Sequence, residues 1–209
     1  MNLILSIKKQ LLMPLPGKKI QYQMAPENRK KNFNGKDTLP KNGSVLILLF
    51  EKNNEFFFLL MERADNLKFH SGQISFPGGT YEDTDKNMEN TALRETYEET
   101  GCLIQQNKIL GKLTPLYIPI SNFMVSPFVA FSPETPRWQK NNSEVKSLIE
   151  VNLIEFLKSK SLNFEKTIDG KNIKTPYFLI RNKMVWGATA MILNEFKFVL
   201  NQLPLMGPV

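Results

Sequence analysis

The chain has 209 residues but only one cysteine and one histidine. A single thiol, Cys102, excludes an internal disulfide framework and makes a reducing, cytoplasmic setting the expectation. With so few soft donors, no Cys/His metal cluster can form. No run approaches the roughly 20 apolar residues that a membrane span needs. Lys8 and Lys9 interrupt the apolar start MNLILSIKKQLL, and no small-residue cleavage site follows, so no signal peptide is expected. Internal repeats and low-complexity tracts are absent too. Acid is in the minority, 20 Asp and Glu against 27 Lys and Arg, for a net charge of +7. Such a balance admits nucleic acid, a membrane surface or a phosphorylated substrate. The lysines are scattered, not interleaved with aromatics in one block, so no nucleic-acid partner is expected.

What remains suits a folded protein: 42% hydrophobic and 22% charged residues. The expectation is one domain over 1–209, with 1–40 as an N-terminal extension that is helical over Leu3 to Leu12 and then irregular. SVLILLF and EFFFLLMER read as buried strands joined by the turn EKNNE. Residues 64–79 hold Gly72, Pro77, Gly78 and Gly79 and read mostly as loop. A helix runs from about Asn87 to a Gly101 cap. LGKLTPLYIP, NFMVSPFVAF and Glu144 to Val151 read as strands, and NLIEFLKSK as a short helix. A hairpin turns at Asp169-Gly170, and WGATAMILNEFKFVLNQL forms a terminal helix. Strands with helices before, between and after them predict an α/β domain with a mixed sheet.

Against the basic background, FPGGTYEDTDKNMENTALRETYEETGC concentrates acid: Glu82, Asp83, Asp85, Glu89, Glu95, Glu98 and Glu99. On a helix, residues three and four apart share a face, so Glu95, Glu98 and Glu99 converge. Carboxylates so crowded repel unless a cation sits among them. Hard oxygen donors favour Mg²⁺ or Mn²⁺. A solvated acidic face paired with lysines is the bland alternative. The two glycines after Pro77 weigh against it, because they let backbone approach a ligand closely.

GG…RETYEETGC resembles the Nudix box, a glycine followed at fixed distance by R-E-U-x-E-E-x-G-U. Arg94, Glu95, Glu98, Glu99 and Gly101 occupy the matching positions, while Thr96 and Cys102 fill the usually aliphatic ones. The box normally has a Glu eight residues before the Arg, which is Lys86 here. A one-residue expansion puts Asp85 in that role, with Gly79 leading. LLMERADNLKFHSGQISFPGG in turn resembles the coenzyme A pyrophosphatase subgroup through Leu59, Leu60, Arg63, Ala64, Gly72, Phe76, Pro77, Gly78 and Gly79. Met61 and Lys68 replace its usual Thr and Arg. Further likenesses, LPGKKIQYQMAPENR, IPISNFMVSPFV, SEV at 143–145 and WGATAMILNEF, extend the resemblance over nearly the whole chain.

The resemblance implies a Nudix-type α/β/α sandwich and metal-dependent hydrolysis of coenzyme A to 3′,5′-ADP and 4′-phosphopantetheine. Glu95, Glu98 and Glu99 would hold Mg²⁺ or Mn²⁺, and Arg94 would orient Glu95 or Glu98. Arg63, Lys68, Gly72, Phe76, Gly78 and Gly79 would line the substrate. The general base of such enzymes is either a helix Glu or one on a distant loop. Glu144 is the candidate for the latter, with a plain surface-strand role as its alternative. His70 reads as a loop residue and Cys102 as a buried small hydrophobe. ADP-ribose, NAD-type dinucleotides and dinucleoside polyphosphates remain alternative substrates, and a non-catalytic binding module remains an alternative class. A homodimer is left open.

Overall fold

In the computed structural model, the described residues are 3–27, 29, 38–66, 70–168 and 171–203. Three short elements come first: α1 (Leu3–Leu11), α2 (Lys18–Gln21) and a 3₁₀ turn at Tyr22–Met24. The long β1 (Lys41–Lys52) and β2 (Glu55–Arg63) form the expected hairpin, with Asn53 and Asn54 both at positive φ in the turn. Two short strands follow, β3 (Ile74–Ser75) and β4 (Gly78–Thr80), and then α3 (Met88–Thr100). Next come β5 (Ile109–Lys112), β6 (Leu116–Ile118), β7 (Phe123–Ser132), β8 (Val145–Asn152) and α4 (Leu153–Lys158). The chain closes with β9 (Ser161–Ile168), β10 (Lys171–Ile180), β11 (Lys183–Trp186) and α5 (Gly187–Asn201).

The main sheet runs β3-β2-β1-β7-β5, with β4 on β1, β6 on β7 and β8 on β2. It is mixed because β1 and β7 pair in parallel from Lys41↔Phe123 to Phe50↔Ser132, while its other pairings are antiparallel. Its centre is covered on both faces, which is why SVLILLF is a continuous apolar run and not an alternating one. Leu46 and Leu48 pack with Ala92 of α3, Phe128 and Ala130. Ile47 and Leu49 lie in the larger core with Phe58, Phe156, Phe178 and Phe196. Helices therefore flank a mixed sheet, the expected α/β architecture. Among the described residues, no helix is long and apolar enough to cross a membrane.

Several local readings change. The described part of 64–79 is mostly loop, as expected, but its last two residues are not: Gly78 and Gly79 lie in β4, paired with Val45 and Ser44 of β1. The pairing needs glycine, since a Cβ at Gly78 would come within 2.2 Å of the Ser44 carbonyl oxygen. Strand β11 was not expected. It returns from β10 through Arg181 and Asn182, both at positive φ, a two-residue turn without the usual glycine. The Asp169-Gly170 turn lies outside the described residues, although β9 and β10 pair as its flanking arms. The N-terminal segment is tied down by Glu195 of α5, which is fully buried. Its carboxylate accepts from Gly17 N (3.0 Å), Gln21 Nε2 (2.8 Å), Thr114 N (3.2 Å) and Thr114 Oγ1 (2.7 Å).

Candidate active site

Helix α3 is set by its ends. The Asn87 side chain caps the first turn by accepting from Asn90 N at 2.9 Å. Gly101, at φ 70°, closes the helix with its N–H on Tyr97 O. Ala92, Thr96 and Thr100 are buried against the sheet, which turns the Arg94, Glu95, Glu98 and Glu99 side toward β4 and the end of β2.

Arg94 is the hub. Its Nε and Nη2 grip Asp85 Oδ1 and Oδ2, each at 2.9 Å, and Nη2 also donates to Thr80 O at 3.0 Å. Nη1 reaches Glu98 Oε2 at 3.0 Å and Glu95 Oε1 at 3.2 Å. Asp85 is only 5% exposed and also accepts from Thr91 Oγ1 and Glu82 N. The Arg94 hydrogen bonds, aided by these two, hold its carboxyl down at about 2. The Arg94 pKa is pushed above its ordinary value chiefly by Asp85. Asp85, one place off the usual position of the box, thus meets the arginine of the box directly.

Glu95 and Glu99 are the shielded carboxylates. Glu99 is 1% exposed and accepts from Gly78 N at 2.8 Å, and among the described residues its ion-pair partner is Arg63, with Nη1 at 3.9 Å. Burial first, and then the charges of Glu95 and Glu144, raise its pKa to about 8 against the opposing pull of Gly78 N–H and Arg63. Glu95 lies so close to β4 that a Cβ at Gly79 would sit 2.3 Å from its Oε1. Its pKa is raised too, first by burial and further by Glu98 and Glu144, with Arg94 opposing. Glu144 is therefore near enough to press electrostatically on both, although it lies on the loop before β8.

Glu98 turns to Arg94, with 48% of its side chain exposed. Among the described residues, no three His, Cys, Asp or Glu side chains form a ready-made metal cage. The donor set nevertheless fits a hard divalent cation. Glu95 and Glu99 are shielded carboxylates close enough for the charge of Glu95 to bear on Glu99, and among the described residues Glu99 has only Gly78 N–H and the more distant Arg63 to offset its own. Holding Glu99 as an anion costs several kcal/mol, at about 1.4 kcal/mol per pKa unit, and a bound cation would remove that cost.

Arg63 sits at the rim with 25% of its side chain exposed, and its buried Nε has no hydrogen-bond partner among the described residues. Gly72, at φ 68°, donates its N–H to Arg63 O and tightens the following loop. Phe76 is buried in the large core, where it anchors the turn into β4. Lys68 lies outside the described residues. His70 is exposed and pairs with Gln73 Oε1 at 3.0 Å. The Cys102 thiol is buried and pushed up to about 11 by that burial. A groove of about 360 Å³ lined by Leu103, Ile104, Lys108 and Pro133, among others, shares no residue with the carboxylate cluster. Sequence reasoning left out Asn141, which contacts both Glu99 and Glu144, because a loop asparagine carries no local signal of such contacts.

Comparison with known proteins matches residues 40–168 to the family model described as the NUDIX domain. A Schizosaccharomyces pombe protein named a probable nudix hydrolase is 33% identical over 153 residues. That alignment covers 73% of this chain and 54% of the relative, so the chain spans about half of that protein's length. An uncharacterized Nudix hydrolase NudL from Yersinia pestis is 36% identical, over 66% of this chain and 69% of its own. The NudL of Photorhabdus laumondii is 29% identical, over 85% and 91% respectively. Among solved structures, a MutT/nudix family protein from Enterococcus faecalis superposes with a TM-score of 0.56 at 18% identity, over 86% of this chain and 70% of that one. This last likeness concerns the fold alone.

Proposed function

The chain belongs to the NUDIX family, and from that premise we propose that it hydrolyses the diphosphate bond of coenzyme A or its derivatives. The products would be 3′,5′-ADP and 4′-phosphopantetheine. The observation that carries this reading is the meeting of Arg63 and Glu99 at 3.9 Å. Arg63 belongs to the stretch that resembles the coenzyme A pyrophosphatases, and Glu99 to the stretch that resembles the Nudix box. Glu95 and Glu99, with Glu98 beside them, are the residues to hold Mg²⁺ or Mn²⁺. When bound, the ion supplies charge neutralisation on the diphosphate and a more acidic water. Arg94, fixed by Asp85, keeps Glu95 and Glu98 in place. Arg63 and Lys68 contact the phosphates of the substrate, Arg63 from the rim of the site, where a quarter of its side chain is exposed. Glu144 accepts a proton from the attacking water.

The test is a panel of coenzyme A, 3′-dephospho-coenzyme A, ADP-ribose and a dinucleoside polyphosphate, with products identified by mass at fixed Mg²⁺ and then Mn²⁺. A kcat/KM that favours coenzyme A by about tenfold or more supports the reading. Equal or better turnover of ADP-ribose would overturn it in favour of a broader nucleoside diphosphate hydrolase. Glu99→Gln is expected to lower kcat by at least about 100-fold on whichever substrate is used.

A further inference from the structure

Glu144 stands on a loop, yet its neighbours leave it little freedom. The loop after β7 is fastened to the end of α3 by two backbone bonds, Gln139 N to Thr100 O at 2.8 Å and Asn141 N to Glu99 O at 3.0 Å. These satisfy carbonyls that a helix C-terminus otherwise leaves open. On its other side, the Glu144 carbonyl accepts from Ala64 N at 2.8 Å, directly after Arg63. Glu144 is thus suspended between the helix that carries Glu95 and Glu99 and the strand that carries Arg63.

We propose that Asn141 is a positioning residue for Glu144, holding its carboxylate toward Glu95 and Glu99 through a side-chain hydrogen bond whose other end is anchored on the catalytic helix. The bond runs from Asn141 Nδ2 to Glu144 Oε1 at 3.2 Å. Ser143 fixes the amide's orientation, because its N–H (3.1 Å) and Oγ (2.6 Å) both point at Asn141 Oδ1. With Oδ1 accepting from Ser143, the NH₂ is the end that faces Glu144. The Asn141 carbonyl accepts from Glu144 N at 3.2 Å and Val145 N at 2.8 Å, so the residue is committed on every side. The contact engages Oε1, which leaves Oε2 as the oxygen to take a proton. Any shift of α3 at Glu99 is carried to Glu144 through one residue. The inference rests on the reading of Glu144 as the proton acceptor.

The decisive variant is Asn141→Asp, which keeps an oxygen for Ser143 but presents a second oxygen to Glu144 where the N–H was. It is compared with Asn141→Ala, Glu144→Gln and the double variant N141D/E144Q, using coenzyme A and ADP-ribose as probes at saturating Mg²⁺. N141D should lower kcat by about tenfold or more, with KM within about threefold. In the E144Q background it should cost nothing further. Equal losses in both backgrounds, or an N141D protein with wild-type kcat, would overturn the proposal. An E144Q protein with wild-type kcat would overturn it too, while leaving the hydrolase reading intact. If wild type turns over neither probe, that reading fails for these substrates and a crystal structure of N141D decides alone. A Glu144 carboxylate displaced from Glu95 and Glu99 supports the proposal, and an unmoved one refutes it.

Discussion

Asp85→Asn removes the charge that anchors Arg94 while keeping the size of the side chain. The Asp85 carboxyl titrates at about 2, against 3.8 for the free group, chiefly through its hydrogen bonds with Arg94. That difference corresponds to about 2.4 kcal/mol of folding stability. Because the folded-state pKa is depressed, the contribution is complete above the unfolded value and fades as pH falls from about 4 toward 2. At pH 3, about half of it remains. Urea unfolding of wild type and D85N at pH 7 should therefore differ by about 2 kcal/mol, and at pH 3 by about 1 kcal/mol. The pair is 95% removed from solvent on the Asp side (5% exposed), so screening by salt should change the difference little. A difference under about 0.5 kcal/mol at pH 7, or one that does not shrink with acid, would refute the assignment of Asp85 as the fixed partner of Arg94.

The two glycines of β4 should fail in different ways. Gly79→Ala collides with the movable end of Glu95, so kcat/KM should fall by about tenfold or more with stability changed by less than about 1 kcal/mol. Gly78→Ala collides with the Ser44 and Val45 backbone at a φ of 150° and should cost more than about 2 kcal/mol in urea unfolding. Glu195→Ala leaves Gly17 N, Thr114 N and Gln21 Nε2 without that acceptor. A loss of about 3 kcal/mol and faster proteolysis near residues 12–25 are expected, and an unchanged cleavage pattern would contradict the clasp. Cys102, with its thiol pushed up to about 11, should be only about 0.1% thiolate at pH 8 and react with a disulfide reagent only after unfolding. Rapid labelling of the native protein would show that burial does not protect it.

Features written locally were legible in the chain. Helix α3 announced itself by Asn87, Gly101 and the period of its buried residues, and β1 by its unbroken apolar run. Other features depend on partners far along the chain. The two glycines of FPGG read as loop by themselves, and only the close passage of β1 makes them part of a strand. The Arg181-Asn182 turn lacks glycine, so β11 was lost in the approach to the terminal helix. Glu195 looks like one polar residue on an apolar helix until Gly17 and Thr114 arrive from elsewhere. The acid cluster itself shows the same division. Its spacing declared a shared face, but the split between shielded Glu95 and Glu99 and outward Glu98 came from Arg94, Gly78 and the sheet beneath.

The parallel pairing of β1 with β7 has a kinetic consequence. Both β4 and α3 lie in the stretch of chain between those two strands, so the glycines and the carboxylates ride on the crossover that the parallel pair requires. Closing that long loop must precede the contacts that reward it, which makes the step slow and non-local. The carboxylate cluster cannot gather ahead of the sheet, because Glu99 needs Gly78, which is held by β1. In refolding from urea, activity should return together with the sheet and in the same phase, with no early compact species able to turn over substrate.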